Sequence, residues 1–550
     1  MLVASSQVVS ERYDVCIVGT GPAGLPLALE LSRIQPTWRV LLVEYGGSTR
    51  TRNDLDESIV IETPTTHHEP GDCTNKGLGG SSLTWGGRCV NYDDIDFMPR
   101  EIVGDECTWD SSVFDSVKKY FPRASEFLDC GRPLFNLHEM GLPAPGHIVP
   151  GFVEGAVTDS IVERWSLPTR LGSEYRRELE SHPNIHLLEN AKVNLIHMAD
   201  NTGTVDYLSA VDRNTKLTFK VAARLFAVAA GAQESTRLLL KSRGVFQRLS
   251  AVPPALGSYY QGHVSGKIAS VKFHGDPRKT DFGFLRDADG VYIRRRFQFS
   301  TETLVRENLL NTAIWLDNPP YHAPEHRSGT MSLIYLAMVA PFIGSRLAPR
   351  AISDSVTKGK GRRIGSHLLN VAKGLPRSLI EPASIFAKRY LPHRKLPGVF
   401  LYDRRNEYAL HFHAEQQPVT QNRMYLGSDG EELRIHYSYT EADVDSVIRC
   451  HRLLDEWLQK TGSGHLKYWY SESDLAVKIA AQSRDGIHQV GTTRMSMRQE
   501  GGVVDPDLRV WGTDNLYVCS SSAFPTSGQA NPTFLLTAFA VRLAAHLSSK

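Results

Sequence analysis

Residues 13–24 hold the feature that most limits what this chain can become. Tyr13-Asp-Val-Cys-Ile-Val18 is a short apolar run rich in β-branched residues, and it reads as a buried parallel strand. Gly19-Thr-Gly21-Pro22-Ala23-Gly24 follows at once. Leu25–Ile34 then has helical character, with Pro26 in the first turn, where its missing N–H costs little. A second strand, Arg39–Glu44, ends in an acid 25 residues beyond Gly19. Gly19 allows the tight turn, Gly21 lets the backbone approach a pyrophosphate, and Gly24 lets the helix pack on the strand. The helix N-terminus offers unpaired N–H groups and positive dipole to phosphates. Glu44 suits the ribose hydroxyls of an adenosine and repels a 2′-phosphate, which favours FAD or NAD over NADP.

The rest of the chain leaves room for more than this unit. Its 550 residues allow two to four domains of ~100–200 residues each. A net charge of +2 gives no reason to expect a nucleic-acid binder. Seven sparse cysteines without a C-x-x-C pair argue against a zinc ribbon or a secreted disulfide framework. The first twelve residues do not read as a secretory signal, and the apolar run near 333–343 is too short to span a membrane. The expected location is cytoplasmic. One stretch qualifies this: residues 346–395 carry 12 Lys/Arg against two acids, with apolar helical stretches at 364–371 and 379–386. It reads as a solvated helical insert, with peripheral contact to a membrane surface or an acidic partner as the alternative.

A second glycine-rich loop, Lys76-Gly-Leu-Gly79-Gly80-Ser81-Ser82-Leu-Thr84-Trp85-Gly-Gly-Arg88, suits close approach to a flat ring. Short strands are expected at 185–188, 192–197, 217–221, 225–229, 294–300, 409–415 and 515–518, and helices at 443–459 and 533–547. His411, His413 and Glu415 alternate on one strand face. That face reads as polar substrate contacts, with Gln416 beside it, and no metal site is expected because no fourth ligand is evident.

The last 63 residues add His488-Gln-Val-Gly-Thr-Thr-Arg-Met495, Gly502-Val-Val-Asp505, Phe524-Pro-Thr526 and Ala530-Asn531-Pro532-Thr533. Together with the glycine triplet and Glu44, the loop Gly79–Ser82, and Ala229-Ala230-Gly231-Ala-Gln with Leu238–Ser242, this order resembles the glucose–methanol–choline (GMC) flavin oxidoreductases. The C-terminal block looks closest to the pyranose-oxidase-like and sugar or polyol dehydrogenase branch. The resemblance implies an α/β fold: a Rossmann-like FAD-binding domain in three pieces (10–100, 186–250 and 484–550) and a discontinuous α+β substrate domain (101–185 and 251–483). It implies that Gly19, Gly21, Pro22, Ala23, Gly24, Glu44, Gly79, Gly80, Ser81, Ser82, Trp85, Val193, Ala230, Gly231, Ser521, Ala530, Asn531, Pro532 and Thr533 line the FAD. It also implies an enzyme oxidising the CH–OH group of a sugar, polyol or glycoside, with His488 as the base, Asn531 as its partner and hydride passing to flavin N5. Histidine is suited to taking a hydroxyl proton near neutral pH, and an amide can hydrogen-bond the developing alkoxide. Thr84 stands where members with covalent flavin carry a histidine, so noncovalent FAD is expected. Asn531 is expected to be the N-cap of the last helix, with Pro532 its first residue. A membrane-associated dehydrogenase passing electrons to a quinone or cytochrome, or a lyase on the same scaffold, are the alternatives. The electron acceptor, oxygen or other, stays open.

Overall fold

A computed structural model describes residues 1–48, 58–104, 109–140, 146–200, 202–340 and 362–550. The basic segment's residues 346–361 lie outside the described residues.

The strand Arg12–Val18 sits at the middle of a parallel sheet in the order 185–188, 40–43, 12–18, 222–228, 516–518. In-register pairs such as Val15 with Val40 and Leu225 run through its centre. Every residue of Val40–Val43, Ile185–Leu188 and Leu516–Val518 is buried. Such strands carry no polar face because helices cover both sides. The covers include Gly24–Ile34 and the apolar Thr533–Leu547, which pack against each other. The expected strands at 217–221 and 225–229 are one continuous strand, Thr218–Val228. Its first half turns away to pair antiparallel with Val205–Asp212, which pairs in turn with Ala191–Met198.

The second layer is antiparallel, in the order Thr312–Asp317, Glu407–Glu415, His263–Phe273, Gly464–Tyr468. Helix Glu441–Lys460 starts in a capping box, Thr440 with Asp443, and buries Val447, Cys450, Leu454 and Leu458 against this sheet's core. A third sheet joins Arg88–Cys89, Val162–Trp165, Tyr292–Arg295 and Leu285–Arg286.

The expected strand 294–300 is broken in two. Tyr292–Arg295 joins the third sheet, whereas Gln298–Phe299 pairs with Val157–Thr158. The break falls at Arg296, which is fully buried and donates from Nη1 to Gln529 Oε1 (2.7 Å). Satisfying that buried cation takes precedence over keeping one register.

Candidate active site

Three glycine-rich turns meet at the C-terminal ends of the parallel strands, where ligands of open α/β sheets bind. Gly19 has φ +103°, and a Cβ there would lie 2.5 Å from Ala229 O. A Cβ on Gly24 would overlap Gly19 O, so this glycine serves packing and does not reach the cavity. A Cβ on Gly21 would meet only Gly80 Cα, at 3.9 Å, and one on Gly231 would meet nothing within 4 Å among the described residues. Both open towards a cavity of about 330 Å³.

Of the residues assigned to a cofactor from sequence, most form the wall of this cavity. Gly19, Gly21, Pro22, Ala23 and Glu44 come from the first turn and second strand, and Gly80, Ser81 and Trp85 from the second loop. Val193, Ala230, Gly231, Ser521, Asn531, Pro532 and Thr533 complete it, together with His488. Gly24, Gly79, Ser82 and Ala530 lie behind the wall. Ser82 is a loop fastener: its Oγ donates to Gly79 O (2.7 Å) and accepts from the Leu171 amide (3.1 Å). Trp85 is fixed by donation from Nε1 to Thr169 O (2.8 Å).

Glu44 is buried and already well used. Its carboxylate accepts from Thr20 Oγ1 (2.6 Å) and from the amides of Thr20, Gly46 and Gly77 (3.2, 2.9 and 3.0 Å). The acid expected to meet ribose hydroxyls therefore also ties the two glycine loops together.

At the other end of the cavity stands His488. Asp485 builds the turn that carries it. Asp485 Oδ1 accepts the amides of Gly486, Ile487 and His488 (2.7, 2.8 and 3.2 Å), and Oδ2 accepts the amide of His263 (2.7 Å). The His488 ring lies with Nδ1 3.7 Å from Asp485 Oδ2. Burial would raise the Asp485 carboxyl, but the charge of His488 and the hydrogen bond from His263 hold it well below the usual carboxylate range. Gly486, at φ +121°, has no room for a side chain: a Cβ would sit 2.6 Å from the His67 ring.

Two further histidines complete a cluster. His263 and His413 stack at 4.0 Å, and His488 stands edge-on to them at 5.1 and 5.6 Å. His413 Nδ1 donates to Gln529 O (2.8 Å), which leaves Nε2 as an acceptor. Burial, and then the neighbouring His263, Arg88 and His488, pushes His413 well below the ordinary histidine value, and burial also lowers His263. The three rings bring nitrogens within 4.8 Å of one another. Rings stacked face to face do not direct their in-plane lone pairs at one point, so this is a poor metal cage. The alternating trio considered from sequence does not converge either. His411 is held by Asp317 and Ser265 (3.2 and 3.0 Å), and Glu415 receives both guanidinium arms of Arg100 (2.7 and 2.8 Å).

The structure corrects the reading of two residues. Asn531 is not the helix cap. The helix runs Thr533–Leu547 with Pro532, already at helical φ, ψ of −70° and −12°, in the cap position. Asn531 stands one residue too early to cap, and its Oδ1 is buried in the cavity wall without a hydrogen-bond partner among the described residues. Gln416 does not face the cavity. It is fully buried, accepts from the Gly262 amide (2.9 Å) and donates to Ser438 O (2.8 Å).

Sequence reasoning missed His263, Asp485 and Arg88. Arg88 lines the cavity, pairs with Glu163 and keeps Nη2 buried without a hydrogen-bond partner among the described residues. Burial lowers its pKa to about 10, against the opposing pull of Glu163. Asp485, three residues before His488, carries a turn signal. His263 joins the site through sheet pairing and the hydrogen bond of its amide to Asp485, both with residues distant in sequence, so no local pattern announces it.

An orphaned amide oxygen, a cradle that side chains would fill and a helix N-terminus beside it fit a dinucleotide cofactor in this cavity. Fold and site are those of an α/β protein with a cavity at the glycine-rich C-terminal ends of its parallel strands. Residues 418–540 match the GMC oxidoreductase family model. Over 98% of this chain and 92% of its own length, 6'''-hydroxyparomomycin C oxidase of Streptomyces lividus is 23% identical. Glucose oxidase of Aspergillus carbonarius (strain ITEM 5010) is 35% identical over 16% of this chain and 14% of its own. Among solved structures, a fungal aryl-alcohol oxidase aligns over 98% of this chain and 99% of its own, with TM-score 0.51 and 15% identity. Pyridoxine 4-oxidase from Mesorbium loti aligns over 97% and 99%, with TM-score 0.50 and 17% identity. The chain is therefore similar to the GMC oxidoreductases, a family of flavoproteins, with the family match itself confined to residues 418–540, and it is an oxidoreductase.

Proposed function

We propose that this protein is an FAD-dependent enzyme that oxidises the CH–OH group of a sugar, polyol or glycoside. The observation that carries the reading is the meeting of His488 and the Oδ1 of Asn531, unpartnered among the described residues, in the cavity that the glycine turns enclose. FAD, when bound, supplies the hydride acceptor. Gly21, Gly80 and Gly231 would let its phosphates and ring approach the backbone, and the N-terminus of helix Thr533–Leu547 favours negative charge beside it.

His488 takes the hydroxyl proton as the carbinol carbon gives up its hydride, which avoids a protonated carbonyl product. Asp485 orients that ring through the turn it builds, with its Oδ2 3.7 Å from His488 Nδ1. The Asn531 amide has a donor and an acceptor for the substrate oxygen and its neighbouring hydroxyls. His413 keeps a neutral Nε2 acceptor beside His488, which suits a substrate with several hydroxyls. The likeness to the Streptomyces oxidase supports a glycoside.

Noncovalent attachment of FAD has support from chemistry. Thr84 has no nucleophile for the flavin, and its hydroxyl accepts from Asn75 Nδ2 (2.7 Å). Burial raises both thiols of the wall, Cys73 and Cys519, the latter to about 12, so both stay protonated.

Anaerobic stopped-flow absorbance against a panel of sugars, polyols, glycosides and aromatic alcohols tests the reading. Rapid flavin bleaching by a hydroxyl-rich substrate, slowed by at least 10²-fold in His488→Ala, is expected. Release of the flavin on acid precipitation tests noncovalent binding. A purified protein that takes up no FAD would overturn the assignment.

A further inference from the structure

The helices Ile364–Lys373 and Arg377–Tyr390 are packed inside out. A surface helix of a water-soluble protein turns its apolar stripe inward. Here the polar side chains go inward, against helix Gly329–Val339 and its flank. His367 is buried and meets Ser332 Oγ (3.0 Å). Asn370 donates to Pro324 O (2.8 Å), and Glu381 accepts from Thr330 Oγ1 (2.7 Å). Ser378, also buried, donates to Val371 O (3.2 Å).

What remains outside is apolar. Leu368, Leu369, Leu375, Leu379 and Ile380 are 52–63% exposed, and Leu391 is 78% exposed. Of the 19 exposed large hydrophobic residues among those described, eight lie between 364 and 391. Single exposed leucines are ordinary, but a concentration of this kind marks a contact surface. The rim of the surface is basic. Residues 362–395 hold eight Lys/Arg and one acid, Glu381. Lys373, Lys388 and Lys395 are exposed, and no carboxylate among the described residues pairs with them.

We infer that this face is a peripheral docking surface for an anionic lipid layer. Apolar side chains enter the acyl boundary while the lysines meet headgroup charge, the arrangement of interfacial helices. His367, Asn370, Ser378 and Glu381 are already hydrogen-bonded inward, which leaves the outward face dominated by apolar side chains and lysines. A second copy would set like charge against like charge. The rest of the chain nets −5, since the whole is +2 and this stretch is +7, so this stretch is basic against an acidic remainder.

Sedimentation of the full-length protein with vesicles tests the inference. Binding to phosphatidylcholine–phosphatidylserine vesicles is expected, with weaker binding to phosphatidylcholine alone and loss at high salt. A Leu368→Ser/Leu379→Ser/Ile380→Ser variant should lose at least about tenfold in partitioning, with unchanged circular dichroism. Lys373→Glu/Lys388→Glu/Lys395→Glu should abolish the preference for phosphatidylserine. No sedimentation with either vesicle would overturn the inference. So would a wild-type dimer, seen by light scattering, that the serine variant dissociates without any vesicle binding, since the face would then belong to a second copy.

Discussion

Replacing Asp485 by Asn probes how the reactive histidine is held. The wild-type carboxylate accepts three amides on Oδ1 and the His263 amide on Oδ2. An asparagine has one acceptor oxygen. Whichever way it flips, its NH₂ group faces at least one backbone N–H, donor against donor. The variant loses one to three hydrogen bonds to a charged group, each worth roughly 1.5–3 kcal/mol, so a stability loss of at least about 1.5–3 kcal/mol is expected. The turn then shifts His488, and a misplacement of about 1 Å costs on the order of 10²-fold in rate. Because Asp485 is depressed in the folded state, its contribution is complete above the ordinary carboxyl value of about 3.9 and disappears as pH falls through the folded value. Urea titration should therefore show a constant gap between wild type and variant above about pH 5, closing in stronger acid. Stopped-flow flavin reduction measures the rate. A variant within about 0.5 kcal/mol of wild type that reduces its flavin at the wild-type rate would refute the reasoning.

Other outcomes follow from the same geometry. Asn531→Ala should slow flavin reduction by about 10²–10³-fold, and because Asn531 is no cap it should spare stability, where loss of a true cap would cost about 1 kcal/mol; kinetics paired with urea titration separates the two. Glu163→Gln leaves Arg88 and Arg294 (2.8 Å from Glu163 Oε1) buried without their counter-charge, and chemical denaturation should register a loss of about 3–5 kcal/mol. Burial opposes ionisation of Glu163, but Arg294 and Arg88 hold it at about 2, so the pairing is intact above the ordinary glutamate value and fails only as pH falls towards 2. Gly19→Ala adds a side chain 2.5 Å from Ala229 O at φ +103°, and the purified protein should carry little or no flavin by absorbance.

The sequence by itself determined the parts whose chemistry is local. A strand, a glycine turn and a helix are written in consecutive residues, so the nucleotide unit at 12–44 and the apolar helix at 533–547 were legible from periodicity and turn chemistry alone. The role of His488 was legible only through the family resemblance, since the turn built by Asp485 was not read from the sequence. Tertiary structure decided what depends on chain segments hundreds of residues apart. His263 joins His488 through the hydrogen bond of its amide to Asp485, 222 positions away. Gln416 lost its expected place facing the cavity, and Asn531 kept its place there but not its expected cap role, for the same reason. Gln416 found backbone partners from distant loops, whereas Asn531, displaced from the cap by a proline already in helical geometry, was left facing the cavity. The inverted helices 364–390 could not be oriented from periodicity. An amphipathic pattern reports that a helix has two faces, and only packing against Gly329–Val339 decides which of them meets water.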